Sequence, residues 1–223
     1  MGRVNYYINT WLYFRSLHET LRKETVLDFG SNYGMFLDSG KQFFPQEQYT
    51  GIDVDLEAID EGRKLFPNAR FIHYNRYNPM YNPLGDKNAW PVLDEKFDTV
   101  ISYSVLTHAT VEDTLDTIAW LYNRVKPGGK MFISWLDVEN RQALKFFYAK
   151  RTYEFGRCDK IETDDYVYLI DDKVSKEPRD GMFLTFYKKD YLSSLLDNYN
   201  HTLVKAPRNA AGCFQDCVII SKP

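Results

Sequence analysis

The chain has 223 residues, a net charge of -3 and a pI near 5.8. That fits one domain of ordinary size and leaves no whole-chain basic footprint for nucleic acid. Apolar residues make up 44% and charged residues 26%, a balance that excludes wholesale disorder, and no apolar run reaches the roughly 18–20 residues of a membrane helix.

The first stretch, residues 1–24, is broken by Asn5, Asn9 and Arg15 and has no small-residue cleavage site, so it does not read as a signal peptide. Its Tyr6, Tyr7, Trp11 and Tyr13 suit a helical lid. A strand over 25–29 runs into Gly30-Ser-Asn-Tyr-Gly34, and a helix follows over 35–44. A second strand spans 49–53, a second helix 56–65, a third strand 71–74 and a fourth 97–102. Thr110 and Asp113 form a capping-box pattern, and Val111, Leu115, Ile118, Ala119 and Tyr122 share one face of the helix it opens. Pro127-Gly128-Gly129 ends that helix and turns into a fifth strand over 130–135. This alternation predicts an α/β fold, a three-layer α/β/α sandwich around a mostly parallel sheet.

Residues 141–182 break the pattern and read as an insertion capping the acceptor side of a site. Residues 151–180 carry nine Asp or Glu against six Lys or Arg, so an acidic, tyrosine-rich cap favouring a cationic or amine acceptor is one reading and a solvated face the other. Order resumes at 183–186, with a helix over 188–198 and two closing antiparallel strands over 201–205 and 216–220. The whole is read as a single domain over 1–223. Cys158, Cys213 and Cys217 lack zinc spacing, which fits reduced thiols and a cytoplasmic location.

The most informative segment is Val26-Leu-Asp-Phe-Gly-Ser-Asn-Tyr-Gly34. Gly30 and Gly34 allow the tight strand-to-helix turn, and Asn32 enters the left-handed region more easily than most residues. Asp53 ends the next strand 23 positions after Gly30, where an acid in a nucleotide-binding βαβ unit bonds the ribose; a helix N-cap is its other reading, a role Asp55 could equally fill. A dehydrogenase is the rival for a glycine turn plus an acid. It is disfavoured because the glycines depart from G-x-G-x-x-G and Asp28 precedes them immediately.

Together with Gly51-Ile-Asp53, Phe97-Asp-Thr-Val-Ile-Ser-Tyr-Ser-Val-Leu-Thr-His108 and Arg124-Val-Lys-Pro-Gly-Gly129, this segment resembles the class I S-adenosylmethionine-dependent methyltransferases. The resemblance covers about residues 25–136 and implies a seven-stranded sheet with an antiparallel last strand. It implies S-adenosyl-L-methionine as cofactor, S-adenosyl-L-homocysteine as product, and binding roles for Asp28, Gly30, Ser31, Asn32, Gly34, Asp53, Val54, Asn75, Arg76 and Ser102. His108, as base, and Tyr103, as acceptor-positioning group, are the catalytic candidates. Direct displacement needs alignment more than a triad. The implied acceptor is a small molecule, aromatic or amine-bearing, without membrane or nucleic-acid partners. A macromolecular acceptor and a non-catalytic cofactor-binding domain are the alternatives. Asn78-Pro-Met-Tyr81 resembles a motif of base-modifying amino-methyltransferases but follows the wrong strand. Asp137 and Glu139 lack matching partners, so no metal is expected.

Overall fold

The computed structural model describes residues 24–40, 45–78, 81–155, 158–171, 183–205 and 215–223. Residues 1–23 of the expected lid over 1–24, the end of the first helix, residues 172–182 and Cys213 lie outside the described residues.

The backbone of the fold is a sheet of β1 (Val26–Phe29), β2 (Tyr49–Asp53), β3 (Arg70–His73), β4 (Phe97–Ser102), β5 (Val125–Asp137), β9 (Asn200–Val204) and β10 (Asp216–Ser221). Their order is β3-β2-β1-β4-β5-β10-β9. The first five are parallel, and β10 runs antiparallel to both β5 and β9. That is the seven-stranded arrangement the resemblance implies. Three more strands join it: β6 (Cys158–Glu162), β7 (Tyr166–Asp171) and β8 (Phe183–Tyr187) form an antiparallel meander. The sheet forks at β5, because β10 takes its edge over 130–135 and β8 pairs with only Leu136 and Asp137.

Alternation along the strands sends side chains to two faces. On one, Leu27, Val100 and Ile133 pack with Ile118 and Leu121 of α3 (Val111–Tyr122) and Leu192 of α5 (Lys189–Leu195). On the other, Val26, Ile101 and Phe132 pack with Leu37 of α1 (Met35–Gly40) and Ile59 of α2 (Leu56–Leu65). The sheet is thus covered by helices on both sides, the expected three layers. A third cluster sits where α4 (Arg141–Phe155) lays Ala143 and Leu144 on Val167, Leu169, Leu184 and Phe186 of the meander.

Three details differ from the sequence reading. The 141–182 segment holds a 15-residue helix and two strands, so Tyr166, Tyr168 and their neighbour Tyr187 are strand residues. The buried face of α3 is Thr114, Thr117, Ile118 and Leu121, whereas Ala119 is exposed. Thr114 goes inside there with its Oγ1 bonded to the Tyr187 hydroxyl at 3.0 Å. Finally, Pro127-Gly128-Gly129 lies inside β5 as a bulge: the register passes from Phe97 opposite Val125 to Thr99 opposite Lys130.

Candidate active site

The carboxyl ends of β1, β2 and β4 open into one cavity of about 660 Å³, within the range of roughly 300–1,000 Å³ typical of small-ligand sites. Open α/β sheets place ligands at this end, outside their strand termini. The turn after β1 shapes the cavity's floor. Gly30 has φ +80°, and a Cβ there would drive into the Val105 side chain, so only glycine fits. The backbone N–H groups of Gly30 and Ser31 both donate to the Ile52 carbonyl, at 2.8 and 3.0 Å. Asn32 does adopt the left-handed region, at φ 52°.

Asp53 fixes this turn to β2. Its Oδ2 accepts from the Asn32 N–H at 2.7 Å and its Oδ1 from the Asp55 N–H at 3.0 Å. Asp55 caps α2 by accepting from the Ala58 N–H at 3.1 Å. The N-cap role therefore belongs to Asp55, and Asp53 faces the cavity. Burial raises the Asp53 carboxyl above its ordinary value, against the pull of the N–H groups of Asp55, Asn32 and Val54. Asp28 is 3% exposed and also lines the cavity. Burial pushes its carboxyl up to about 7, opposed by the Tyr49 hydroxyl that donates to it at 2.6 Å and reinforced by Asp53.

Of the sequence candidates, Asp28, Gly30, Ser31, Asn32, Asp53, Val54, Arg76, Tyr103 and His108 meet in this cavity. Gly34, Asn75 and Ser102 lie off its wall. Gly34 has φ +86° and turns the chain into α1. Asn75 is exposed, and its Oδ1 accepts from Asn82 Nδ2 at 3.1 Å. Ser102 is fully buried, its hydroxyl without a hydrogen-bond partner among the described residues. Arg76 is already engaged: its guanidinium lies 4.4 Å from the Trp90 ring centroid and 3.3 Å from Asp113 Oδ1. Trp90 stacks in turn on Trp120 of α3.

The cavity also has residues the sequence reading missed. Tyr74, Trp90 and Ser104 line it. Tyr74 follows β3 directly, but Trp90 falls in the unpatterned stretch before β4. Ser104 takes φ 60°, its N–H donating to Ser134 Oγ at 2.7 Å and its hydroxyl accepting from Gln215 Nε2 at 3.0 Å. Glu112, Asp113 and Asp116 of α3 bring the wall's carboxyl groups to six with Asp28, Asp53 and Asp55, against two basic side chains, Arg76 and Lys87. The described acids of the 141–182 segment, Asp159, Glu162, Asp164 and Asp165, are not among the lining residues. Among the described residues no three His, Cys, Asp or Glu side chains are grouped to hold a metal ion, and no helix is long and apolar enough to cross a membrane. Asp137 is buried, accepting from the Glu139 N–H at 2.8 Å with Lys205 Nζ 3.7 Å away.

A methyltransferase-domain profile matches residues 6–206, nearly the whole chain. The chain belongs to the methyltransferase-domain family. Among solved structures of this fold, the glycopeptide N-methyltransferase MtfA in complex with S-adenosyl-L-homocysteine superposes with a TM-score of 0.65 at 13% identity, covering 97% of this chain and 90% of that one. CalS10, an amino pentose methyltransferase from Micromonospora echinaspora, gives 0.58 at 12% identity, covering 100% and 92%. In sequence, the chain is 26% identical over 191 residues to the biotin biosynthesis bifunctional protein BioHC of Teredinibacter turnerae. The match spans 85% of this chain and 31% of that longer relative.

Proposed function

We propose that this family member transfers a methyl group from S-adenosyl-L-methionine to the amine of a small-molecule acceptor. The observation that carries the reading is the pair of carboxyl groups, Asp28 buried and Asp53 half-buried, in a wall whose described residues include six acids against Arg76 and Lys87. Such a wall repels a dinucleotide's pyrophosphate and suits a ligand bearing an ammonium and a sulfonium. The residues present fit that cofactor. Asp53 would hold the ribose, Asp28 would balance the positive methionine end, and the Gly30–Asn32 turn would let backbone approach closely. The bound cofactor supplies an activated methyl group.

The chain's own contribution is then alignment and exclusion of water. Tyr103 and His108 reach the cavity from the segment between β4 and α3. His108 would take the proton an ammonium acceptor must lose before its nitrogen can attack. The acids on α3 favour a positively charged acceptor, and two structural neighbours, MtfA and CalS10, act on a glycopeptide nitrogen and an amino pentose respectively. Isothermal calorimetry with S-adenosyl-L-homocysteine tests the cofactor, with micromolar binding expected and none at millimolar ligand refuting it. Homocysteine-coupled turnover on amines against phenols and carboxylates tests the acceptor class.

A further inference from the structure

The meander presents two unlike faces to the rest of the protein. Val167, Leu169, Leu184 and Phe186 point to α4 and form its apolar core. Of the alternate residues, four bear hydroxyls, Tyr166 and Tyr168 on β7 and Thr185 and Tyr187 on β8, while the remaining pair is Ile170 opposite Phe183. Tyr166 is paired across strands with Tyr187, and Tyr168 with Thr185, so the four share one face. The Tyr166 and Tyr168 rings are 4.6 Å apart.

Three of these hydroxyls are spent on one short stretch of chain. Thr185 Oγ1 donates to the Ala109 carbonyl at 2.6 Å. The Tyr168 hydroxyl accepts from the Val111 N–H at 3.2 Å. The Tyr187 hydroxyl and Thr114 Oγ1 share a hydrogen bond of 3.0 Å. Thr185, Tyr187 and Thr114 are buried, where a hydroxyl left without a partner is costly. The bonded groups at 109, 111 and 114 bracket the start of α3, and His108, Ala109, Glu112 and Asp113 from this same stretch line the cavity. Neither Tyr166 nor Tyr168 lines it. Of this segment, Tyr168 therefore acts on the cavity through its wall.

We propose that the hydroxyl face of β7 and β8 is a template that sets the position of the His108 side of the cavity, with Thr185 and Tyr168 as positioning residues for methyl transfer. The template acts on the acceptor side alone. The cofactor turn and Asp53 are held by β1 and β2 and make none of these bonds. Acceptor geometry is thereby tuned from a part of the chain that touches neither reactant. For its catalytic consequence the inference rests on the methyltransferase reading of the same cavity.

The test uses the full-length protein with the Thr185→Val and Tyr168→Phe changes, singly and together, and Thr185→Ser as the conservative control. Two readouts need no acceptor. Amide hydrogen exchange at residues 109–114 should quicken about tenfold in the double variant, with amides of β1 and β2 unchanged. The ring resonances of His108, followed by NMR at fixed pH, should shift while those of His73 and His201 stay. S-adenosyl-L-homocysteine affinity should remain within about twofold. With any amine that the wild-type enzyme turns over, kcat should fall about tenfold at unchanged KM for the cofactor, and Thr185→Ser should recover most of it. Unchanged exchange at 109–114 overturns the proposal, and so does a fall in cofactor affinity in step with kcat, which would mark general loosening. If the wild-type protein binds no S-adenosyl-L-homocysteine, the proposed function fails, while the exchange and resonance readouts still decide this point.

Discussion

Replacing Asp28 by Asn is expected to stabilise the protein at neutral pH while weakening its hold on the cofactor. Asp28 is 3% exposed, and burial is the main reason its carboxyl is pushed from 3.8 up to about 7; the Tyr49 hydrogen bond opposes the shift and Asp53 adds to it. At about 1.4 kcal/mol per unit, a rise of about three units corresponds to roughly 4 kcal/mol. The folded state favours the protonated acid, so this stabilisation is full below 3.8 and is lost as pH climbs through about 7. Roughly 2–3 kcal/mol of the loss falls between about pH 5 and about pH 8. Asn keeps an oxygen for the Tyr49 hydroxyl and has no charge to bury. Urea denaturation at the two pH values, on both proteins, measures the difference: wild type should lose that amount relative to the variant. Calorimetry of S-adenosyl-L-homocysteine in buffers of different protonation enthalpy completes the assay. Near neutral pH the wild type should release up to about half a proton from Asp28 on binding, whereas the variant should release less and bind about tenfold or more weakly, as for a lost charge-assisted hydrogen bond. Parallel pH dependence of unfolding in the two proteins would refute the reasoning.

Asp53→Ala removes the acceptor for two backbone N–H groups as well as the proposed ribose contact. Cofactor affinity should fall by about 1.5–3 kcal/mol in a calorimetric titration. Gly30→Ala places a side chain at φ +80° against Val105. It should cost more than about 1 kcal/mol of stability in denaturant and abolish detectable cofactor binding. Arg76→Ala should cost about 1 kcal/mol by loss of its stack on Trp90 and its partly exposed pair with Asp113. Arg76→Lys should recover little, since an ammonium cannot stack as a guanidinium plane does; thermal melts of the two variants give the comparison.

Where local chemistry determined structure, the sequence was readable. The Gly30–Gly34 turn needs left-handed residues and has Gly, Asn and Gly at the positions that take them. The Thr110 cap closes on the Asp113 N–H at 3.0 Å as its spacing predicts. Asp53 stood out because strand, turn and acid kept their order. Tertiary partners decided the rest. Thr114 and Thr117 count as polar in any periodicity reading, yet they are buried, and Thr114 meets Tyr187, 73 positions away. The meander was hidden because the face turned from α4 carries tyrosines rather than charges, which blurs the apolar–polar alternation of a strand. Trp90 reaches the cavity wall through its stack with Arg76 and Trp120, partners that no local pattern announces.

The fork at β5 makes a natural seam for protein engineering. Only Leu136 and Asp137 join the meander to the sheet by strand pairing, and the β7 and β8 hydroxyls supply three further bonds to the start of α3. A chimera cut after Asp137 and rejoined at α5 would exchange the whole branch while leaving β1, β2 and Asp53 as they are. If such grafts bind cofactor like the parent yet methylate different acceptors, lineages with this architecture could have changed acceptors by replacing that branch.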